Sequence, residues 1–263
     1  IFIVTTKEVT EDNAPVGAAL IAQAMDRRES AAGAGAGSAA STGTMSLPGS
    51  PEFAAESRAL DTRSLGYRFV KRTFDIAFSA CVCVVGLIPG AVLCAFIAAD
   101  TKGAPIYAHE RAGRFGRPIR VLKFRSMVAD ANDVEKYLSP EQIEEWHRER
   151  KVTNDPRITK LGRVLRKTSL DELPQFFNVL KGDMSLVGPR PEVPYHVEHF
   201  KEEIPRYLVR QQVRPGCTGW AQIHGLRGDT DIAERIRYDI WYIENWTVAL
   251  DIKIIFRTVF GGK

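Results

Sequence analysis

The sequence predicts a mostly helical α+β protein held in one face of a membrane by a re-entrant helical hairpin, with short strands and interfacial amphipathic helices. Three observations carry that expectation. An uncharged run extends from Ile76 to Ala99 with Pro89 near its middle. Two short extended stretches flank a turn-rich segment, and later stretches repeat apolar side chains at helical spacing with charges on the opposite face.

Composition sets the outer bounds. The chain has 263 residues, 44% hydrophobic and 26% charged, enough for one sizeable domain plus appendages and unlike a disordered or collagen-like chain. Its 36 basic side chains exceed the 32 acidic ones by too little to argue for nucleic acid. Cys81, Cys83 and Cys94 lie inside the apolar run and Cys217 lies far away, a spacing that suits neither a disulfide framework nor zinc. No cleavable signal peptide is evident, and a start at Ile1 rather than methionine reads as part of a longer protein or an engineered boundary.

In chain order, residues 1–29 hold a candidate strand (Ile1 to Thr5) and helix (Ala18 to Arg28), expected as the tail of a missing region. Residues 30–57, dominated by Ala, Gly and Ser, cannot bury enough apolar surface to offset ordering entropy and are expected as a flexible linker. Within them Gly49-Ser50-Pro51-Glu52-Phe53 also spells a cloning scar. As one helix, Ile76 to Ala99 would reach roughly 36 Å, longer than the roughly 30 Å hydrocarbon core. Pro89, beside Gly86 and Gly90, would kink it. Arg68, Lys71 and Arg72 precede the run, and Lys102, Arg111, Arg114 and Arg117 follow it, so the positive-inside rule favours both ends on one side. A hairpin satisfies both facts; a tilted spanning helix and a buried core helix remain alternatives.

Beyond Asp100 the pattern is that of a water-exposed domain. Pro105 to His109 and Ile119 to Phe124 read as extended pieces around the turn Arg111 to Pro118, and Pro140 to Lys151 as a charged surface helix. Leu161 to Arg166 and Leu173 to Leu180 read as short helices, and Ile232 to Trp246 as a longer amphipathic one. Val248 to Phe260 suits an interfacial helix or, equally, a core-packed terminal one.

Four groups of residues could carry chemistry. Ser169-Leu170-Asp171-Glu172 has the capping-box spacing, which alone is the commoner explanation. Arg163, Arg166 and Lys167 precede it, and cations with a helix start lower a carboxylate's pKa, so the pair is expected ionised, fit to attack phosphorus or ligate magnesium. Gly188-Pro189-Arg190-Pro191-Glu192 presents one guanidinium on a stiff loop, and Arg214-Pro215-Gly216 repeats the theme before Trp220. Lys123 and Arg125 alternate, so in a strand they would face one side. Each group alone is as well explained by an ordinary turn, core residue or solvated edge.

Together these segments resemble the bacterial sugar transferase family, the monotopic polyprenyl-phosphate phosphoglycosyl transferases, in its exopolysaccharide-initiating undecaprenyl-phosphate hexose-1-phosphate transferase branch. The matching motifs are Lys71 to Asp75, the apolar run with Pro89, Lys123 to Met127, Arg163 to Gln175, Phe177 to Pro191, Val213 to Gly225 and Tyr238 to Phe256. The resemblance implies a phosphoglycosyl transferase domain over 58–263, with a re-entrant membrane helix at about 68–100 broken at a Ser-Pro pair. Here Ile88 stands in the serine position, so the break rests on Pro89 and the nearby glycines.

It further implies Asp171 as nucleophile with Glu172 as its catalytic neighbour, the two holding Mg2+, and substrate binding by Arg166, Arg190, Arg214, Lys123, Arg125 and Asp239. The implied reaction moves a hexose-1-phosphate, of glucose or galactose type, from a UDP-sugar to undecaprenyl phosphate and releases UMP. It would be the first membrane step of exopolysaccharide or capsule synthesis, on the cytoplasmic face of a bacterial inner membrane. Membrane lipid and a homodimer are expected as partners, and nucleic acid is not. Two other classes compete: a non-catalytic membrane-anchored scaffold, which would not need the carboxylates, and a basic nucleic-acid binder, which the uncharged run argues against.

Overall fold

A computed structural model describes residues 48–261 apart from 60, 62, 150, 151 and 229. The expected strand Ile1 to Thr5, the helix Ala18 to Arg28 and most of the expected linker lie outside the described residues. The end of that linker differs from expectation, because Pro51–Ala59 forms a helix, α1. Ser50 Oγ accepts from the Phe53 N–H at 3.0 Å, Glu52 sits in the first turn and Arg58 in the last, each favourable to the helix dipole. Phe53 and Ala54 are buried, so an aromatic anchor holds a segment whose neighbouring Ala, Gly and Ser obscure it.

Two helices follow, α2 (Leu65–Val85) and α3 (Leu87–Thr101), bent by 62° across Gly86. Pro89 explains where the bend falls. Its ring would crowd the carbonyl four residues back and it has no N–H to donate, yet in a first turn neither matters, so α3 starts anew just before it. Among the described residues no single helix is long and apolar enough to cross a membrane, whereas this bent pair together is. Val84, Val85, Leu87 and Ile88 at the bend are all exposed.

The root of α2 is fastened by polar contacts. Ser64 caps it by accepting from the Tyr67 N–H at 3.1 Å. Buried Asp75 accepts from Ser185 Oγ at 2.8 Å and from the Leu186 N–H at 3.1 Å. Lys71 and Arg72, read from sequence as flanking membrane charges, are used inside the protein: Lys71 pairs with Asp251 at 2.6 Å, and Arg72 donates to the Val179 and Leu180 carbonyls. Arg68 alone of the three is exposed.

β1 (Ile106–Ala112) and β2 (Pro118–Phe124) form an antiparallel hairpin with Ile106 opposite Phe124 and Ala112 opposite Pro118. After α4 (Val134–Tyr137) and the surface helix α5 (Pro140–Glu149) come α6 (Lys160–Thr168), a one-turn 3-10 helix at Leu170–Glu172, and α7 (Gln175–Lys181). β3 (Ser185–Val187) pairs in parallel with β4 (Gly216–Thr218), with α8 (Pro194–Glu203) and a 3-10 turn (Tyr207–Gln212) between them. Helices α9 (Trp220–Ile223), α10 (Ile232–Asn245) and α11 (Val248–Phe260) end the described chain.

The mostly helical α+β expectation therefore holds. One core cluster joins Ile97, Phe124 and Leu165, tying α3 to β2 and α6; another joins Val197, Tyr207, Ile236 and Ile240. Trp220 is buried and stacks on Trp241 at 4.7 Å, which makes it a core residue rather than a free stacking platform. In α11 both sequence readings hold in part. Asp251 and Ile254 are buried, while Ile252, Phe256, Val259 and Phe260 are exposed.

Candidate active site

Close packing of α6 against the strand end places the acidic pair. Thr159 caps α6, and Gly162 lets the helix touch the Ser126 segment so tightly that a Cβ there would lie 2.0 Å from the Ser126 carbonyl oxygen. One turn on, Arg166 Nε donates to Ser126 Oγ at 2.8 Å. Ser169 then takes left-handed backbone angles (φ 58, ψ 18), which ends α6 and turns the chain into the 3-10 helix carrying Asp171 and Glu172.

That geometry corrects the capping-box expectation. A residue that caps a helix start takes extended angles, and left-handed Ser169 makes no side-chain cap here. The dyad consequently precedes α7 rather than opening a long helix.

The two carboxylates are held differently. Glu172 Oε1 accepts from Lys123 Nζ at 2.7 Å and from an Arg190 terminal nitrogen at 2.9 Å. Burial pushes its pKa up, but the charges of Arg190 and Lys123 and their hydrogen bonds outweigh that and hold it at about 2. Asp171 is buried, with Oδ2 3.7 Å from Lys123 Nζ. Its pKa moves the other way: burial raises it, the adjacent Glu172 charge adds to the rise, and Lys123 and Arg166 offset only part. A lowered pKa at Asp171, expected from neighbouring cations and a helix start, is therefore not what the structure shows. Desolvation wins, and there is no long helix behind it.

Of the sequence-predicted binding residues, Lys123, Arg190 and Arg166 gather around the dyad. Three others do not. Strand β2 ends at Phe124, so Arg125 leaves the face of Lys123 and donates to the Ala104 carbonyl at 2.7 Å. Arg214 donates to the Gly182 carbonyl at 2.8 Å, beyond the far end of α7. Asp239 is buried and paired with Arg210 at 2.8 Å, so it is an architectural carboxylate with no free face for a substrate. Through that pair it still reaches the site: Arg210 also donates to the Arg190 carbonyl at 3.0 Å.

Two side chains that were not among the expected site residues complete the arrangement. Asn178 of α7 accepts from the Leu122 N–H at 2.9 Å and donates to the Arg120 carbonyl at 2.7 Å, a double bond that fixes β2 and hence Lys123 against the dyad. His109, opposite Val121 in the hairpin, faces Arg111 through Nδ1 at 3.2 Å. Burial first, then the charges of Arg111 and Lys123, push it down to about 4, so it is neutral near pH 7.

Among the described residues no group of three or more His, Cys, Asp or Glu side chains gathers to hold a metal, so the magnesium that the resemblance implies would rest on the adjacent carboxylates of Asp171 and Glu172. Mg2+ takes hard oxygen ligands, commonly one or two carboxylates completed by waters and substrate phosphates. Asp171 and Glu172 are adjacent, and the cations on Glu172 converge on Oε1.

Comparison with known proteins places the chain in a family. The bacterial sugar transferase profile matches residues 66–262. A UDP-galactose-lipid carrier transferase of Erwinia amylovora is 44% identical over 195 residues, covering 73% of this chain and 40% of the relative. The UDP-glucose:undecaprenyl-phosphate glucose-1-phosphate transferase of Escherichia coli K12 is 45% identical over 202 residues, covering 74% and 40%. This chain thus spans about two fifths of those relatives' length. The exopolysaccharide production protein ExoY of Rhizobium meliloti is 38% identical over 192 residues, covering 72% of this chain and 83% of the relative. With an ordered set of motifs folded around one acidic pair and a profile that runs through nearly all of the described fold, the chain belongs to the bacterial sugar transferase family.

Proposed function

We propose that the chain is a phosphoglycosyl transferase that moves a hexose-1-phosphate, of glucose or galactose type, from a UDP-sugar to undecaprenyl phosphate. Support comes from the site and from relatives whose names specify undecaprenyl-phosphate glucose and galactose transfer. The observation that carries the reading is the unequal dyad: a carboxylate screened from water beside one locked by two cations.

In this reading an Asp171 oxygen attacks the β-phosphorus of the UDP-sugar, and the bond from that phosphorus to the bridging oxygen breaks. UMP leaves with the bridging oxygen, and the phosphosugar stays on the carboxylate. A phosphate oxygen of undecaprenyl phosphate then attacks the same phosphorus and returns Asp171 as a free carboxylate. Lys123, Arg166 and Arg190 bind and orient phosphate oxygens, and Glu172 fixes Lys123 and Arg190 in place. Magnesium held by Asp171 and Glu172 would neutralise charge on the diphosphate.

The bent pair α2–α3 enters and leaves one leaflet of a bacterial inner membrane, the site facing the cytoplasm. Apolar exposure at the bend and along α11 supports this placement, as does the exposure of Leu170, Leu173 and Phe177 on either side of the dyad. Those three side chains suit an active site pressed against lipid, where a polyprenyl tail arrives. A scaffold would need no such dyad.

The test is UMP release by the membrane-purified chain given UDP-glucose or UDP-galactose, undecaprenyl phosphate and Mg2+. Asp171→Asn is expected to lower the rate at least about a thousandfold, as expected when a nucleophile is lost. Unchanged release by that variant would overturn the reading.

A further inference from the structure

A second concentration of charge lies at the foot of α2. Five arginines, Arg63, Arg68, Arg72, Arg114 and Arg214, lie near one another there. Arg63 and Arg114 both bind Asp61, at 2.7 and 3.3 Å. Arg114 also donates to the Gln212 carbonyl, two residues before Arg214. Arg214 donates to the Gly182 carbonyl, and a Cβ at Gly182 would lie 3.4 Å from an Arg72 terminal nitrogen, so Arg72 and Arg214 converge on that glycine. Arg68, one turn before Arg72, is exposed.

Negative charge there is scarce. Asp61 is shared by two arginines, and Asp75 is occupied by the Ser185 hydroxyl and the Leu186 N–H. Among the described residues no carboxylate pairs with Arg68, Arg72 or Arg214. The excess of positive charge is felt within the cluster. Burial is the main cause lowering the pKa values of Arg114, to about 10, and of Arg214, and the nearby Arg63 and Arg68 lower both further. None of these arginines touches Asp171 or Glu172.

The surroundings set the depth of the cluster. Leu65 and Phe69, on either side of Arg68, are 79% and 74% exposed. Arg63 stacks 3.6 Å over the ring of Trp246, which itself lies 5.8 Å from Tyr67. Exposed apolar side chains, a Trp–Tyr pair and unpaired guanidinium groups at the root of an apolar hairpin are the features of a lipid headgroup layer.

We propose that this arginine cluster binds the phosphodiester headgroup of an anionic phospholipid, at a site separate from the Asp171–Glu172 dyad. Planar guanidinium groups suit paired phosphate oxygens, and the ligand supplies the charge that Asp61 and Asp75 leave unmatched. Bound lipid would hold the root of α2 and the loop before β4 together. The inference rests on the membrane placement of α2–α3 proposed above.

The test uses the full chain reconstituted into phosphatidylcholine vesicles containing minor fractions of phosphatidylglycerol and undecaprenyl phosphate. The chain is re-extracted in mild detergent, and the retained lipids are quantified by mass spectrometry. Wild type is expected to retain phosphatidylglycerol in excess of its vesicle fraction, and the Arg68→Gln/Arg214→Gln variant to lose about fivefold or more of that excess. Arg68→Gln alone, an exposed change that spares every internal hydrogen bond described here, is expected to lose part of it.

An unchanged excess in both variants would overturn the site. So would a wild type that retains undecaprenyl phosphate through these arginines and no phosphatidylglycerol. Phosphatidylglycerol-dependent binding by a chain that fails to float with pure phosphatidylcholine vesicles would support the cluster while overturning the hairpin's insertion.

Discussion

Glu172 and Asp239 each face an arginine at hydrogen-bond distance, yet their surroundings move them in opposite directions. At the dyad, Arg190 and Glu172 keep 38% and 23% side-chain exposure, and two cations hold Glu172 at about 2. At the Arg210–Asp239 pair exposure falls to 5% and 3%, and burial drives Asp239 up to about 6 although its partner is equally close. A half-open pair keeps its charge available for chemistry, whereas a closed one spends its attraction on offsetting desolvation. The first region is built to act and the second to hold Arg190 still.

The comparison can be broken by the same truncation in both places. Asp239→Ala takes the nearest carboxylate from buried Arg210, leaving it only Glu192 at 3.7 Å, and is expected to cost about 3 kcal/mol of stability, read as a lower thermal midpoint in detergent. Glu172→Ala leaves Lys123 and Arg190 within reach of water and is expected to cost about 1–2 kcal/mol while removing most transfer activity. Equal losses of stability at the two positions would erase the distinction.

A smaller effect sharpens it. The proposed mechanism needs Asp171 ionised, and burial raises its pKa, so activity is expected above that raised pKa and is expected to fade as pH falls through it. Lys123 opposes the rise. Lys123→Met is therefore expected to move the acid limb of kcat/KM to higher pH, and an unmoved or lowered limb would assign the limb to another group.

How much of this was legible in sequence depended on whether a residue's role is local. The break near Pro89 follows from one ring, the short strands and helices from periodicity, and Asp171, Glu172, Lys123, Arg166 and Arg190 from ordered motifs. The partners of Asp239 and Arg214 were not legible, because a charged letter within a motif does not say which guanidinium or carbonyl waits across the fold. Ser169 misled because the capping spacing is satisfied equally by a left-handed residue ending the previous helix. Asn178, although inside the Phe177 to Pro191 motif, and Gly162 gave no hint of their roles, bridging to β2 and admitting the Ser126 carbonyl, which exist only once distant segments meet. Helix α1 was hidden by its Ala-rich neighbourhood, where Phe53 is the one large side chain buried.

The most direct measurement is mass spectrometry of the chain after incubation with UDP-glucose or UDP-galactose and Mg2+ in the absence of any lipid acceptor. A hexose-phosphate adduct on the peptide containing Asp171, formed together with a stoichiometric burst of UMP and discharged on adding undecaprenyl phosphate, is the expected result. UMP appearing only when the acceptor is present, with Asp171 unmodified throughout, would contradict the covalent role of Asp171.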